Sequence, residues 1–268
     1  MTVSVEANEG ARPPVSTQTA ALRFSGLLKV FGSHRAVDHV DLAIPRGSFY
    51  GLVGPNGAGK TTLLSMAVGL LRPTAGTSEI FGVDVWADPV KAKGLVGVLP
   101  DGMQLPERLT GRELLTYHGL IRGLAANEVK VRVDELLQVL ELDEAERTLV
   151  IDYSTGMRKK IGLATALLHA PKLLVLDEPF EAVDPVSAAT IRTILQRFVA
   201  SGGSVVFSSH VMALVELLCD HVAVITRGTV AASGTVEQVR GTRGLEDVFV
   251  DLVGARTGGA DGLTWLAS

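Results

Sequence analysis

Gly54-Pro55-Asn56-Gly57-Ala58-Gly59-Lys60-Thr61 is the stretch that decides the reading of this chain. It follows Ser48–Val53, an apolar run of strand length, and opens Lys60–Leu70, which has helical patterning. A glycine-rich loop between a strand and a helix lets backbone amides turn inward, and with the helix N-terminus they form an anion site. In that pattern Lys60 holds the β- and γ-phosphates of a nucleotide, the Thr61 hydroxyl ligates Mg²⁺ and Thr62 adds a phosphate contact. A glycine-rich turn without a ligand is the competing reading, and the strand and helix on either side weigh against it.

Further along, Leu173-Leu174-Val175-Leu176-Asp177-Glu178 ends an apolar strand on two carboxylates. Burying such a pair is costly unless a metal or a cation compensates it. Taken alone, the segment reads as a strand leaving into a turn at Pro179. Beside a phosphate loop, Asp177 fits the residue that supports Mg²⁺ through water, and Glu178 the general base that polarises the attacking water. Together the two motifs describe a nucleoside triphosphatase and nothing narrower.

Between and around them the pattern alternates. Strands are expected at Leu27–Phe31, Val40–Ile44 and Val205–Ser209. Thr110 and Glu113 form a capping box for one helix, and Val129, Val133, Leu136, Leu137 and Leu140 line one face of another over 126–142. A third helix follows Ser154, and a fourth starts at Asp184-Pro185 and closes at Gly202-Gly203. The expectation is a parallel-sheet core with a helix-rich insertion at about 98–165. Residues 1–20 and 251–268 read as a disordered and a flexible tail, although Trp265 could dock.

Composition sets outer bounds. The chain has 268 residues, 47% hydrophobic and 20% charged, enough for one sizeable core that aliphatic residues must fill because aromatics are 5%. A formal net charge of −4 argues against a nucleic-acid surface. The basic run Arg158-Lys159-Lys160 reads as a solvated helix face. The single cysteine, Cys219, lies in an apolar stretch and reads as a buried thiol in a reducing compartment. No apolar run approaches the roughly 18 residues of a membrane span, and no secretory signal pattern opens the chain.

Tyr153-Ser154-Thr155-Gly156-Met157 stands shortly before the Asp-Glu strand, and His210 ends the strand Val205–Ser209. With the two motifs above, this order resembles the nucleotide-binding domain of the ABC transporter family, over about Leu22 to Phe249. Tyr-Ser-x-Gly-Met is similar to the signature of many exporter ATPases. The resemblance implies that Ser154 and Gly156 face ATP on an opposing subunit, although Ser154 is also an ordinary helix N-cap. It implies that His210 contacts the γ-phosphate and the attacking water. It places Phe31 against adenine, where a core aromatic competes. Asp184 matches the aspartate of a loop that communicates across the dimer, and Glu181 and Val183 depart from the usual residues before it. At Leu99-Pro100-Asp101 the family commonly has Gln after the proline, so Asp101 adds a carboxylate near the Mg²⁺ site.

The fold so implied is α/β: a RecA-like P-loop NTPase core with a flanking antiparallel β-subdomain and an inserted α-helical subdomain. Its cofactors are ATP and Mg²⁺. Its implied partners are a membrane-spanning transporter subunit and a second ATPase subunit, in a homodimer or heterodimer on the cytoplasmic face of the membrane, with no nucleic acid. Export is favoured over import. The alternatives are a soluble ABC-type ATPase acting on ribosomes or DNA, and an ATP-binding switch that does not hydrolyse.

Overall fold

Five strands run parallel through the centre of the molecule, and each is apolar on both faces because both faces are covered. A computed structural model describes residues 20–254. In chain order the strands are β1 (Ala20–Phe31), β2 (His34–Pro45), β3 (Phe49–Val53), β4 (Ala75–Ile80), β5 (Val83–Asp84), β6 (Val96–Leu99), β7 (Leu173–Leu176), β8 (Ser204–Ser209), β9 (His221–Thr226) and β10 (Thr229–Thr235). The helices are α1 (Lys60–Ala67), α2 (Pro89–Leu95), α3 (Gly111–Ile121), α4 (Ala126–Val139), α5 (Thr155–Leu167), α6 (Pro185–Ala200), α7 (Met212–Leu218), α8 (Val236–Arg240) and α9 (Leu245–Val253). The larger sheet has the order β10-β9-β3-β8-β7-β6, with β10 alone antiparallel; the smaller, β2-β1-β4-β5, is antiparallel throughout.

Strand alternation divides the core into two layers. Tyr50 and Leu52 of β3, Val175 of β7 and Val206 of β8 face α1, where Leu63, Met66 and Ala67 pack against Leu22, Phe24 and Ile44 of the smaller sheet. Phe49 and Val53, Leu174 and Leu176, and Val205 and Phe207 point to the opposite face. There they meet Ile161 and Ala164 of α5, Ile191 and Leu195 of α6, and Leu114 and Leu115 of α3. Each such fully buried aliphatic side chain stabilises the fold by roughly 1.5–3 kcal/mol. The segment from α3 to α5 lies between β6 and β7, which matches the expected helix-rich middle.

Local rules held where side chains cap helices. The Glu113 amide donates to Thr110 Oγ1 (3.3 Å) and the Thr110 amide to Glu113 Oε2 (2.9 Å), completing the capping box. Asp184 caps α6, with Pro185 in its first turn. Several bounds shift. The α1 helix stops at Ala67 rather than Leu70, just before Gly69 with φ of 74°, and α4 stops at Val139, before Glu141 with φ of 56°. The first two strands are longer than expected, beginning at Ala20 and ending at Pro45. Strands β4, β5, β9 and β10 carried too weak an alternation to be placed from sequence. The Cys219 thiol is packed against the core as expected, although the residue as a whole is partly exposed, and burial together with Asp220 pushes the thiol well up from the usual range. The α9 helix runs through Val253, three residues into the expected C-terminal tail; Trp265 and the rest of both tails lie outside the described residues.

Candidate active site

Register brings the chemical residues to one edge. Leu99, Leu176, Phe207 and Gly51 lie side by side across β6, β7, β8 and β3. Being parallel, all four strands release their loops in the same direction, so Asp101, Asp177-Glu178, His210 and the 54–61 loop emerge together. Ligands of open α/β sheets bind at this carboxyl edge. The result is a cleft of about 500 Å³ lined by residues 55–62, Phe31, His34, Asp101, Glu178, Glu181 and His210.

The cleft floor has the geometry of an anion cradle. The α1 helix begins at Gly59 with no side chain capping it and no acidic residue in its first turn, so its leading amides remain available to a ligand. Gly59 sits at φ of 102°, and a Cβ there would lie 2.3 Å from the Ala36 carbonyl oxygen. Only glycine can hold that turn. Lys60 is 6% exposed, and its ammonium donates to the carbonyls of Gly54 (2.7 Å) and Pro55 (3.4 Å). Loop carbonyls are exchangeable partners for a lysine, and phosphate oxygens can replace them. The site therefore fits a polyphosphate.

Glu178 sits between two cationic or potentially cationic groups. Its Oε1 lies 3.6 Å from Lys60 Nζ, and its Oε2 lies 3.2 Å from His210 Nδ1. Asp177, 4% exposed, accepts a hydrogen bond from the Ser208 hydroxyl, which in turn accepts from the Glu178 amide at 2.8 Å. Thr61, Asp101 and Asp177 line one small adjoining cavity of about 80 Å³. Its oxygen donors suit a hard divalent cation, completed by phosphate oxygens and water. Among the described residues, no group of three or more His, Cys, Asp or Glu side chains forms a metal site by itself.

The remaining sequence candidates fall into two sets. Phe31 is 49% exposed at the cleft mouth, with Lys29 Nζ 5.0 Å from its ring centroid, so it is not a core aromatic. Ser154, Gly156 and Asp184 do not line the cleft of their own chain. Ser154 Oγ caps α5 by accepting from the Met157 amide (3.2 Å). A Cβ on Gly156 would come within 2.7 Å of both Asp184 Oδ2 and Ser187 Oγ, so this glycine permits α5 and the loop before α6 to touch. Donation from the amide and hydroxyl of Ser187 and the amide of Val186 holds the Asp184 carboxyl below the usual range.

Two residues were missed by the sequence reading. Ser208 lies beside Asp177 only because Leu176 pairs with Phe207, and no local signal reveals that register. Lys159 was expected on a solvated face, yet its ammonium donates to the Glu178 carbonyl (2.8 Å) and lies 3.8 Å from Asp101 Oδ1. Its neighbours are engaged as well. Arg158 donates to the Tyr153 and Ile151 carbonyls, and Lys160 pairs with Glu141 at 3.2 Å. The long side chains of this run snorkel inward to polar partners contributed by other segments, which composition alone does not show.

Comparison with known proteins places the chain in a family. The sequence model of the ABC transporter family matches residues 37–181. The daunorubicin/doxorubicin resistance ATP-binding protein DrrA of Streptomyces peucetius is 37% identical over 226 residues, covering 84% of this chain and 68% of that protein. The bacitracin transport ATP-binding protein BcrA of Bacillus licheniformis is 35% identical over 208 residues, covering 77% and 67%. A solved structure described as the ATP-binding subunit of an ABC transporter superposes with a TM-score of 0.81 at 27% identity, covering 87% of this chain and 99% of that one. The chain belongs to the ABC transporter family. Within it, the chain is an ATP-binding subunit, an ATPase that powers transport.

Proposed function

We propose that two ATPase subunits of this kind pair head to tail around ATP and drive a separate membrane-spanning partner, in the direction of export. The carrying observation is that the cleft is half a site. The phosphate loop, Glu178 and His210 converge in one chain, while Ser154 and Gly156 lie outside that cleft. A second subunit, identical or related, would bring its Ser154 helix N-terminus to the exposed side of the phosphates.

In this scheme residues 21–250 act as one ATPase domain, with its helical subdomain at about 98–165. Phe31 stacks on adenine, and the amides of residues 57–62 with Lys60 hold the β- and γ-phosphates. Thr61 and Asp177 would hold Mg²⁺, with Asp101 reaching toward its water shell; when bound, the cation would supply neutralisation of charge at the phosphates. Glu178 takes the proton of the attacking water, and His210 orients Glu178 and the γ-phosphate. Asp184 carries the state of one site across to the other. Among the described residues no helix is long and apolar enough to cross a membrane, so in this scheme the membrane-spanning part belongs to the partner, with the ATPase subunits on the cytoplasmic face. The resistance and transport ATP-binding proteins named above support the transporter reading over a ribosome- or DNA-directed ATPase.

Tagged Glu178→Gln protein recovered from native membranes with ATP and Mg²⁺ tests the assignment. A multi-span membrane protein should co-purify in near-stoichiometric amount. Ribosomes or nucleic-acid enzymes in its place would overturn the transporter reading.

Asp101 gives a second expectation. A carboxylate that lines the cation's cavity contributes on the order of 1 kcal/mol to its binding when well solvated, or about fivefold in affinity. The Mg²⁺ concentration for half-maximal turnover should be about fivefold lower for the wild-type chain than for Asp101→Gln. Superimposable Mg²⁺ titrations would dismiss the role.

A further inference from the structure

Glu178 adopts a backbone conformation that its neighbours must impose. Its φ is 45°, on the left-handed side that L-residues other than glycine avoid because Cβ crowds the following carbonyl. It also precedes Pro179, whose ring drives the preceding residue toward extended backbone. Two unfavourable preferences at one residue persist only where surrounding contacts over-determine the geometry.

Those contacts come from both sides of the residue. On the amide side the Ser208 hydroxyl accepts the Glu178 N–H. On the carbonyl side two donors converge: the Glu181 amide at 3.3 Å, closing the turn, and Lys159 Nζ at 2.8 Å. The Lys159 side chain is 15% exposed, so its ammonium works against little competing water. Its other partner is Asp101 Oδ1 at 3.8 Å, on the loop that leaves β6 for the helical segment. One cation thus bridges three elements: α5, which carries the Ser154 N-terminus, the Glu178 backbone and the Asp101 loop.

We propose that Lys159 is a positioning residue for the hydrolytic step, holding the Glu178 peptide in its left-handed turn so that the carboxylate stays aimed between Lys60 and His210, with Asp101 as the group that adjusts this hold. The proposal rests on Glu178 being the general base. Lys159 does not itself line the nucleotide cleft but contacts two residues that do, so its loss acts through Glu178 and Asp101 and not by removing a contact to ATP. Movement of the Asp101 loop would change the share of the ammonium available to the Glu178 carbonyl, which links the helical segment to the catalytic carboxylate by a single side chain.

The test uses the full chain. Lys159→Met should lower kcat by on the order of tenfold, the scale of a displaced catalytic group, with KM for MgATP within about twofold of wild type. Lys159→Arg, which keeps a donor, should recover most of that loss, and circular dichroism should show native helix content in both. Hydrogen exchange of the nucleotide-free chain gives a readout independent of turnover. The Glu181 amide should exchange at least about threefold faster in Lys159→Met than in wild type, because the turn it closes on the Glu178 carbonyl has lost its stronger tether. Wild-type kcat in Lys159→Met beside an inactive Glu178→Gln would overturn the proposal, as would unchanged exchange of the Glu181 amide. Wild-type kcat in Glu178→Gln would instead overturn the general-base assignment, while the exchange measurement would still decide whether Lys159 holds the turn.

Discussion

Glu178→Gln is expected to bind ATP as the wild-type chain does and to hydrolyse it at least about a hundredfold more slowly, the lower range for loss of a positioned general base. The substitution keeps the shape of the side chain and removes its charge. Glu178 lies between Lys60 Nζ at 3.6 Å and His210 Nδ1 at 3.2 Å, and its side chain is 13% exposed. A neutral amide can occupy the same space but cannot take a proton from water. Losing the carboxylate also leaves Lys60 without its anionic neighbour, so the ammonium is freer to meet phosphate and ATP binding should not suffer. Phosphate release under single turnover, alongside nucleotide binding by equilibrium titration, separates the two effects. A wild-type rate for this protein would remove Glu178 from the chemistry.

Lys60→Ala is expected to act on the other side of the cycle, weakening ATP binding about tenfold to a hundredfold. A hydrogen bond to a charged group contributes about 1.5–3 kcal/mol, and tenfold corresponds to about 1.4 kcal/mol. The buried ammonium donates to the Gly54 and Pro55 carbonyls and lies beside Glu178, on the lining of the cleft. Alanine would remove the cation and leave Glu178 facing incoming phosphate with only His210 beside it. Ligand-dependent melting is the direct check, since stabilisation grows with ligand concentration over Kd. Wild-type protein should gain stability with ATP at concentrations that leave Lys60→Ala unmoved. Equal shifts in the two proteins would mean that the loop amides alone hold the phosphates.

The site was more legible in the sequence than the fold around it. Glycine at 57 and 59, lysine at 60 and paired carboxylates after an apolar run report local demands: a tight turn, an uncapped helix and a buried charge. Such demands act over a few residues, so residue type and spacing reveal them. The same holds for the caps at Thr110, Ser154 and Asp184, each of which satisfies amides within three residues of itself. Weakly alternating strands such as β4 and β10 were not legible, because hydrogen bonds to β1 and β9 make them strands, rather than any local preference.

Sequence by itself determined the phosphate loop, the general-base candidate, the α/β class and the resemblance to the ABC family, since these are written in contiguous residues. Only the tertiary structure decided which side chains meet. The parallel register set Ser208 against Asp177, and packing of α5 turned Lys159 from an expected solvent face onto the Glu178 carbonyl. The reason is physical: side chains distant in sequence meet only when buried apolar faces lock the strands and helices into one register, and that register is a property of the whole core.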